Sequence, residues 1–210
     1  MGGGSRDTVP SIVEIGCGSV GILLALKEQL GAKVRGLDTD QRRIDFGRKK
    51  GIKDLFVADA MTMEDDISMF DFVILSNIIE HLHDPKLFLD KLLNKNNKEN
   101  FNQKIIIDVP NLEYSYSYSD QSFNNCLHIQ HLWYFNSMTI ERLLNQVGFG
   151  IDYFFPRKAA MTIVCRKKQE PLPNSNNAYW NSISAINYAN TIITPQLENL
   201  INKKKKEILN

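Results

Sequence analysis

The stretch VPSIVEIGCGSVG, Val9 to Gly21, decides how the rest of the chain is read. A short run rich in Ile and Val ends at Glu14, glycines follow at Gly16, Gly18 and Gly21, and the apolar-periodic positions Val20, Leu23, Leu24 and Leu30 come after them. That order predicts a strand, a tight turn and a helix. Glycine suits such a turn because it adopts positive φ without strain and leaves no Cβ between the backbone and a ligand. The N–H groups that open the helix have no partner inside it, so a nucleotide-like ligand is the natural occupant of the turn.

Downstream the rhythm repeats. Lys33 to Leu37 forms a second strand ending at Asp38, Leu55 to Ala58 a third ending at Asp59, and Phe70 to Leu75 a fourth. The fourth is nearly continuous in apolar residues, as a central parallel strand should be. Lys104 to Val109 makes a fifth strand, stopped by Pro110. Helices alternate with them. Asp40 caps one that carries Ile44 inward and ends at Gly51, and Asp84-Pro85 opens another with Phe88, Leu89, Leu92 and Leu93 inward. Asn136 caps a third, with Ile140, Leu143, Leu144 and Val147 on its apolar face and Gly148 at its close. Ile151 to Phe155 and Met161 to Arg166 then read as two closing strands joined by a short turn. Strands and helices in this order mean an α/β, doubly wound, mostly parallel sheet.

Composition sets the outer limits. The 210 residues can bury one full core and a small further element. A net charge of +1 gives no electrostatic footprint for duplex nucleic acid or an anionic membrane. Three cysteines, Cys17, Cys126 and Cys165, lack metal or disulfide spacing, so a reducing cytoplasm is expected. No apolar run reaches transmembrane length. Residues 1–8 read as a linker or added segment, residues 9–168 as the catalytic-type domain, and residues 169–210 as a linker and C-terminal helical tail. The tail contains two amphipathic segments, Tyr179 to Asn190 and Leu197 to Leu209, which offer a surface for a homodimer. The Lys203 to Lys206 run reads as a solvated helix end.

The glycine turn fits two templates. As G-x-G-x-x-G it is a dinucleotide fingerprint, with Asp38 placed for a ribose hydroxyl, which would make the chain an NAD-dependent oxidoreductase. As E-x-G-x-G, with Glu14 two residues before Gly16, it resembles motif I of class I methyltransferases that use S-adenosylmethionine. Glu14 favours the second, because a buried carboxylate suits a cationic amino-acid moiety and would face a pyrophosphate badly. The sequence departs from that family at Val20, where a third glycine is usual, with Gly21 one place later.

The resemblance covers Val9 to Arg166 and implies a seven-stranded Rossmann-like methyltransferase fold with S-adenosylmethionine as cofactor. Asp38 in GLDTD matches the family's ribose-binding acid, and Asp59 in VADA the residue that receives the adenine amino group. Glu14, Gly16, Cys17 through its backbone, Gly18, Thr39, Ala60, Ser76 and Asn77 complete the cofactor-binding set. FDFVILSNIIEHLHDP, Phe70 to Pro85, looks like the family's segment after strand four, and HLWYFN, His131 to Asn136, like the one before the last helix. Together they imply a polar small-molecule acceptor such as a sugar, nucleotide-sugar or quinone-like hydroxyl, with His131 or His81 receiving its proton. Small-RNA 2′-O-methyltransferases and ubiquinone-pathway enzymes carry E-x-x-E-H here as divalent-metal ligands, which maps onto Asn77, Glu80, His81 and, later, His131. Asn77 replaces the first carboxylate and weakens a hard-cation site, so the site is read as metal-free, with Glu80, His81 and His131 as the alternative metal set. RNA 2′-O-methylation stands as an alternative at the level of substrate.

The plainer readings run alongside. Either Asp alone can be a helix cap, and Glu80 and His81 can be a wall without metal. His83 and His128 read as surface residues, and Cys165 as core. Cys17 has no histidine beside it in sequence, so a thiol nucleophile is not expected there. The Asn111 to Phe135 connection reads as a lid or binding loop whose Tyr114, Tyr116, Tyr118, Trp133 and Tyr134 either line a pocket or lie exposed. A noncatalytic protein that keeps the fold and docks through its tail is the alternative from outside enzymology.

Overall fold

A computed structural model describes residues 9–64, 66–95, 102–112, 129–157 and 160–168. The Tyr114, Tyr116, Tyr118 and His128 readings, Cys126 and the whole C-terminal tail lie outside the described residues. Seven strands form one sheet: β1 Ser11–Ile15, β2 Lys33–Asp38, β3 Leu55–Val57, β4 Phe72–Ser76, β5 Lys104–Pro110, β6 Phe149–Pro156 and β7 Ala160–Lys167. Their spatial order is β3-β2-β1-β4-β5-β7-β6, with β1 to β5 parallel and β7 antiparallel to both β5 and β6. The expected doubly wound sheet and its closing hairpin are therefore present.

Helices α1 Gly21–Leu30, α2 Gln41–Lys49, α3 Pro85–Lys95 and α4 Ser137–Val147 flank it. Their ends follow local chemistry. Asp40 accepts from the Arg42 N–H, and the Asp84 carboxylate accepts from the Leu87 N–H, as N-caps worth about 1 kcal/mol do. Asn136 and Thr139 form a reciprocal capping box, and Gly148 closes α4 in the left-handed region at φ 103°.

The two sheet faces separate cleanly by strand parity. Val13, Ile15, Val73, Leu75, Ile105, Ile107 and Ile163 enter the main core with Phe88, Leu89 and Leu92 of α3 and Ile140, Leu144 and Val147 of α4. Each such side chain contributes about 1.5–3 kcal/mol when fully buried. On the opposite face Ile12 and Ile74 cluster with Ala32, Phe72 and Ile106, while Val20, Leu23, Ile44, Ile52 and Leu55 join α1 and α2 to the β2–β3 side.

Several strand bounds need correcting: the fourth strand is Phe72–Ser76, not Phe70 to Leu75, and the last two are the longer Phe149–Pro156 and Ala160–Lys167. β5 ends at Pro110 as expected but includes it, one residue beyond Val109, paired with Ala160. Proline lacks only the N–H donor, so a terminal position beside an antiparallel neighbour tolerates it. The third strand is shorter than expected, ending at Val57 instead of Ala58.

Candidate active site

The chain runs from β1 outward to β2 and β3 and then returns to β4, so the strand order reverses between β1 and β4. Ligands in such sheets bind in the crevice at the carboxyl ends of the strands flanking that reversal. Gly16 follows β1 there, and Asn77 follows β4.

The glycine turn wraps the end of β2. Gly16 and Cys17 donate their N–H groups to the Leu37 carbonyl, and Gly18 donates to Asp38 Oδ2 at 2.8 Å. Gly16 sits at φ 74°, and a Cβ there would come within 1.9 Å of the Ile78 Cδ1. Any other residue would be strained at this φ and would push the Ile78 side chain aside. Gly21 contradicts the expectation: it has no positive φ and simply begins α1. The left-handed position belongs to Val20, at φ 57° and ψ 20°, a costly conformation for a β-branched residue. Val20 is fully buried, and its methyl groups occupy the space a Cβ on Gly47 would need, with Val20 Cγ1 only 2.7 Å from that point. The turn keeps its shape because Val20 packing into α2 offsets the strain of its backbone.

Glu14 is 3% exposed, and its Oε2 has no hydrogen-bond partner among the described residues. Burial, and then the nearby Asp38 charge, raises its carboxyl to about 8. A buried acid whose pKa is raised in this way ionises more readily when a cation arrives beside it. Asp38, 5% exposed, accepts from Gly18 on Oδ2 and from the Asp40 N–H on Oδ1 at 2.9 Å, and Arg43 Nη1 stands 3.6 Å away. A carboxylate offers about four lone-pair sites, so room remains for two hydroxyl donors. Asp59 is exposed two residues beyond β3 and, among the described residues, accepts from the Met61 N–H through Oδ1; Ala60 beside it is half-buried, and Thr39, next to Asp38, is exposed. Burial pushes the Cys17 thiol up to about 12, which removes any thiolate chemistry at neutral pH.

The other half of the crevice is built from the segment after β4. Asn77 adopts φ 52°, which asparagine tolerates, and donates its N–H to the Asp108 carbonyl at 2.8 Å; its Nδ2 reaches Ser76 Oγ at 3.4 Å. A 3-10 turn, Ile79–His81, follows. The end of the connection between β5 and α4 is pinned onto that turn: Leu132 and Trp133 donate N–H groups to the Glu80 carbonyl, and Trp133 Nε1 donates to the Leu82 carbonyl at 2.8 Å. Trp133 therefore acts first as a strut. This places His131 against His81, ring centroids 4.8 Å apart, edge to face.

Glu80 has no solvent exposure, and neither carboxylate oxygen has a hydrogen-bond partner among the described residues. Burial raises its carboxyl above the usual range. His81 Nδ1 lies 2.9 Å from the Gln130 carbonyl, which can only accept, so that nitrogen carries a proton; Nε2 lies 3.9 Å from Glu80 Oε1. Glu80, His81 and His131 bring ligand atoms within 4.8 Å of one another, one carboxylate and two imidazoles. Sequence reasoning named all three; it missed Asp108, Arg157 and Thr162. Asp108 Oδ1 accepts from Arg157 Nη2 and, at 2.8 Å, from the Thr162 hydroxyl. The signal was present, since Asp108 is a third acid at the carboxyl end of a strand, after Asp38 and Asp59.

Comparison with known proteins follows the same lines. The family described as "Methyltransferase domain" matches residues 3–153. No curated protein sequence matches. Among solved structures, the PH0226 protein from Pyrococcus horikoshii OT3 is 17% identical, with a TM-score of 0.62 over 78% of this chain and 84% of its own. A SAM-dependent methyltransferase from Methanosarcina mazei is 18% identical, with a TM-score of 0.59 over 77% of this chain and 94% of its own. The small RNA methyltransferase HEN1 is 14% identical, with a TM-score of 0.59 over 80% of this chain and 24% of its own. At these identities the likeness is one of fold. Among the described residues no helix is long and apolar enough to cross a membrane.

Proposed function

The chain belongs to the methyltransferase-domain family, and from that premise we propose that it moves a methyl group from S-adenosylmethionine to the hydroxyl of a polar small molecule. The observation that carries the cofactor reading is the buried, partnerless Glu14 beside the glycine turn. A dinucleotide would bring a pyrophosphate to that carboxyl, whereas an amino-acid moiety brings an ammonium.

When bound, S-adenosylmethionine supplies a methyl group already activated by a positive sulfonium. The protein's own residues bind, orient and manage the proton. Glu14 ionises against the ammonium, Asp38 accepts from the ribose hydroxyls, and Asp59 keeps Oδ2 for the adenine amino group. Gly16 and Gly18 let the cofactor lie against the turn, with Cys17, Thr39 and Ala60 at its edges and Ser76 and Asn77 at the methyl end. Catalysis then rests mainly on holding the acceptor in line with the methyl group. His131 and His81 are the candidate proton acceptors, His81 through Nε2, because its Nδ1 proton is committed to the Gln130 carbonyl.

One observation favours a second reading of the acceptor side. Glu80 has both oxygens buried and unpartnered, and His81 has the tautomer of a metal-ligating histidine, its other nitrogen donated to a carbonyl. Glu80, His81 and His131 would hold a divalent cation, which would favour the ionised form of the acceptor hydroxyl. Asn77 in place of a fourth ligand lowers the affinity of that site and does not abolish it. Calorimetry with S-adenosylmethionine, S-adenosylhomocysteine and NAD, with and without Mn2+, tests both readings. Micromolar binding of the first two and none of NAD supports the cofactor assignment; binding of NAD alone overturns it. RNA 2′-O-methylation, raised by the fold likeness to a small RNA methyltransferase, is tested by the same preparation against single-stranded RNA.

A further inference from the structure

The polar groups on one face of the sheet form a row along the ligand edge. Glu14 shares the strand parity of Ile12, and Ser76 and Asp108 share that of Ile74 and Ile106; these isoleucines cluster on the face opposite the main core. In register, Ser76 pairs with Asp108 and Asp108 with Thr162. With strands about 4.8 Å apart, Thr162 lies roughly 10 Å beyond Ser76 along that edge, on the side away from Asp38. Arg157 stands at the turn between β6 and β7 on the same edge, its N–H bonded to the Ala160 carbonyl at 2.8 Å.

The Asp108, Thr162 and Arg157 side chains form a closed set. Thr162 donates to Asp108 Oδ1 and accepts from Arg157 Nη2 at 2.9 Å, and Arg157 Nη2 also donates to Asp108 Oδ1. Both contacts of the guanidinium use one nitrogen, so among the described residues Nε and Nη1 keep their donors. The side chain is 44% exposed, and Asp108 is 25% exposed. Asn77, which borders the proposed methyl end, donates its N–H to the Asp108 carbonyl, so the set adjoins the reacting end of the crevice. From α1, Leu26 packs against the cluster of Ile12 and Ile74 on this face.

We infer that Arg157, oriented by Asp108 and Thr162, is an anion-binding subsite for the acceptor, which carries a carboxylate or phosphate about 10 Å from the hydroxyl edge at Ser76. A planar guanidinium with free donors matches an oxyanion bidentately, and its tethers hold it in one rotamer before the ligand arrives. The inference rests on the methyl-transfer reading for the identity of the ligand as acceptor, but not for the existence of the subsite.

The test is a 15N NMR titration of the full chain, first with S-adenosylhomocysteine and then with sodium phosphate or sodium acetate at constant ionic strength, against sodium chloride. The inference predicts saturable millimolar shifts at the Thr162 and Asn77 amides and the Arg157 Nε–H with phosphate or acetate, none with chloride. Whichever anion binds tighter gives the class of the acceptor. Arg157→Gln should weaken binding at least tenfold while keeping the S-adenosylhomocysteine shifts at Gly16 and Gly18, and Arg157→Lys should restore part of it. Absence of saturable shifts in the wild type, or equal shifts in Arg157→Gln, overturns the subsite. Anion shifts without any S-adenosylhomocysteine response would overturn the methyl-transfer reading and leave the subsite standing.

Discussion

Glu14 and Glu80 are two buried glutamates, each with unpartnered oxygen in one crevice, and they differ in their neighbours. Burial raises both carboxyls; the Asp38 carboxylate pushes Glu14 further up, whereas at Glu80 its own backbone hydrogen bond and then His81 oppose the rise, and Asp108 adds a little to it. The first environment stores a demand for a cation, because two acids near one another are relieved by an ammonium. The second pairs an acid with two imidazoles, a set suited to moving a proton or holding a metal. Burial is common to both halves; neighbouring charge decides which task each performs.

The largest expected effect comes from separating the halves. Glu14→Gln should weaken S-adenosylmethionine binding about 100-fold or more, since a buried charge pair is worth about 3–5 kcal/mol when one partner is removed. Glu80→Gln should leave that affinity within about threefold and instead remove any Mn2+ binding. Isothermal calorimetry reads both, and a similar loss of cofactor affinity in the two variants would erase the distinction drawn between them. Next in size, His131→Ala and His81→Ala should each lower turnover by roughly 100-fold, the usual scale of general-base loss, with cofactor affinity unchanged. Loss of affinity in either would move that histidine into the cofactor half.

A smaller effect sharpens the Glu14 side. Its carboxyl is raised to about 8 in the folded chain from the ordinary 4.5, so the folded state holds a proton that the unfolded state gives up across that interval. Stability therefore falls as pH rises from about 4.5 to 8, at most by about 1.4 kcal/mol per pH unit. Glu14→Gln should flatten that slope in thermal melts, alongside its loss of cofactor affinity. The same proton makes cofactor affinity rise with pH, by up to about tenfold per unit below 8.

The smallest effects concern the turn that holds both halves in place. Gly47→Ala should cost about 1–3 kcal/mol, because its new Cβ meets Val20 Cγ1 at 2.7 Å and Leu55 Cδ1 at 2.6 Å. Val20→Gly should lie near zero, since relief of about 1–2 kcal/mol of left-handed strain offsets about 1.5–3 kcal/mol of lost burial. Chemical denaturation of both variants checks the pair.

The cofactor half was legible in the sequence because its determinants are local. Glu14, Gly16 and Gly18 lie within five residues, and Asp38 and Asp59 each end a strand recognisable by pattern. What the pattern hid at the turn was the exchange of bulk between Val20 and Gly47, which depends on α2 packing over α1. The acceptor half was legible only as a set of residue types. Glu80 and His81 are adjacent in sequence, but the approach of His131 depends on Leu132 and Trp133 docking onto the Glu80 carbonyl. Asp108, Thr162 and Arg157 come together only through the antiparallel pairing of β5 with β7, and no spacing in the sequence announces that register.

Calorimetric titration of the wild-type chain with S-adenosylmethionine at pH 7, in two buffers of different ionisation enthalpy and repeated with Glu14→Gln, tests the central claim most directly. The account predicts release of close to one proton per cofactor bound, together with loss of both the proton and most of the affinity in Glu14→Gln. Binding with no proton released, and equally tight in the variant, would contradict the assignment of Glu14 as the carboxylate that receives the cofactor's ammonium.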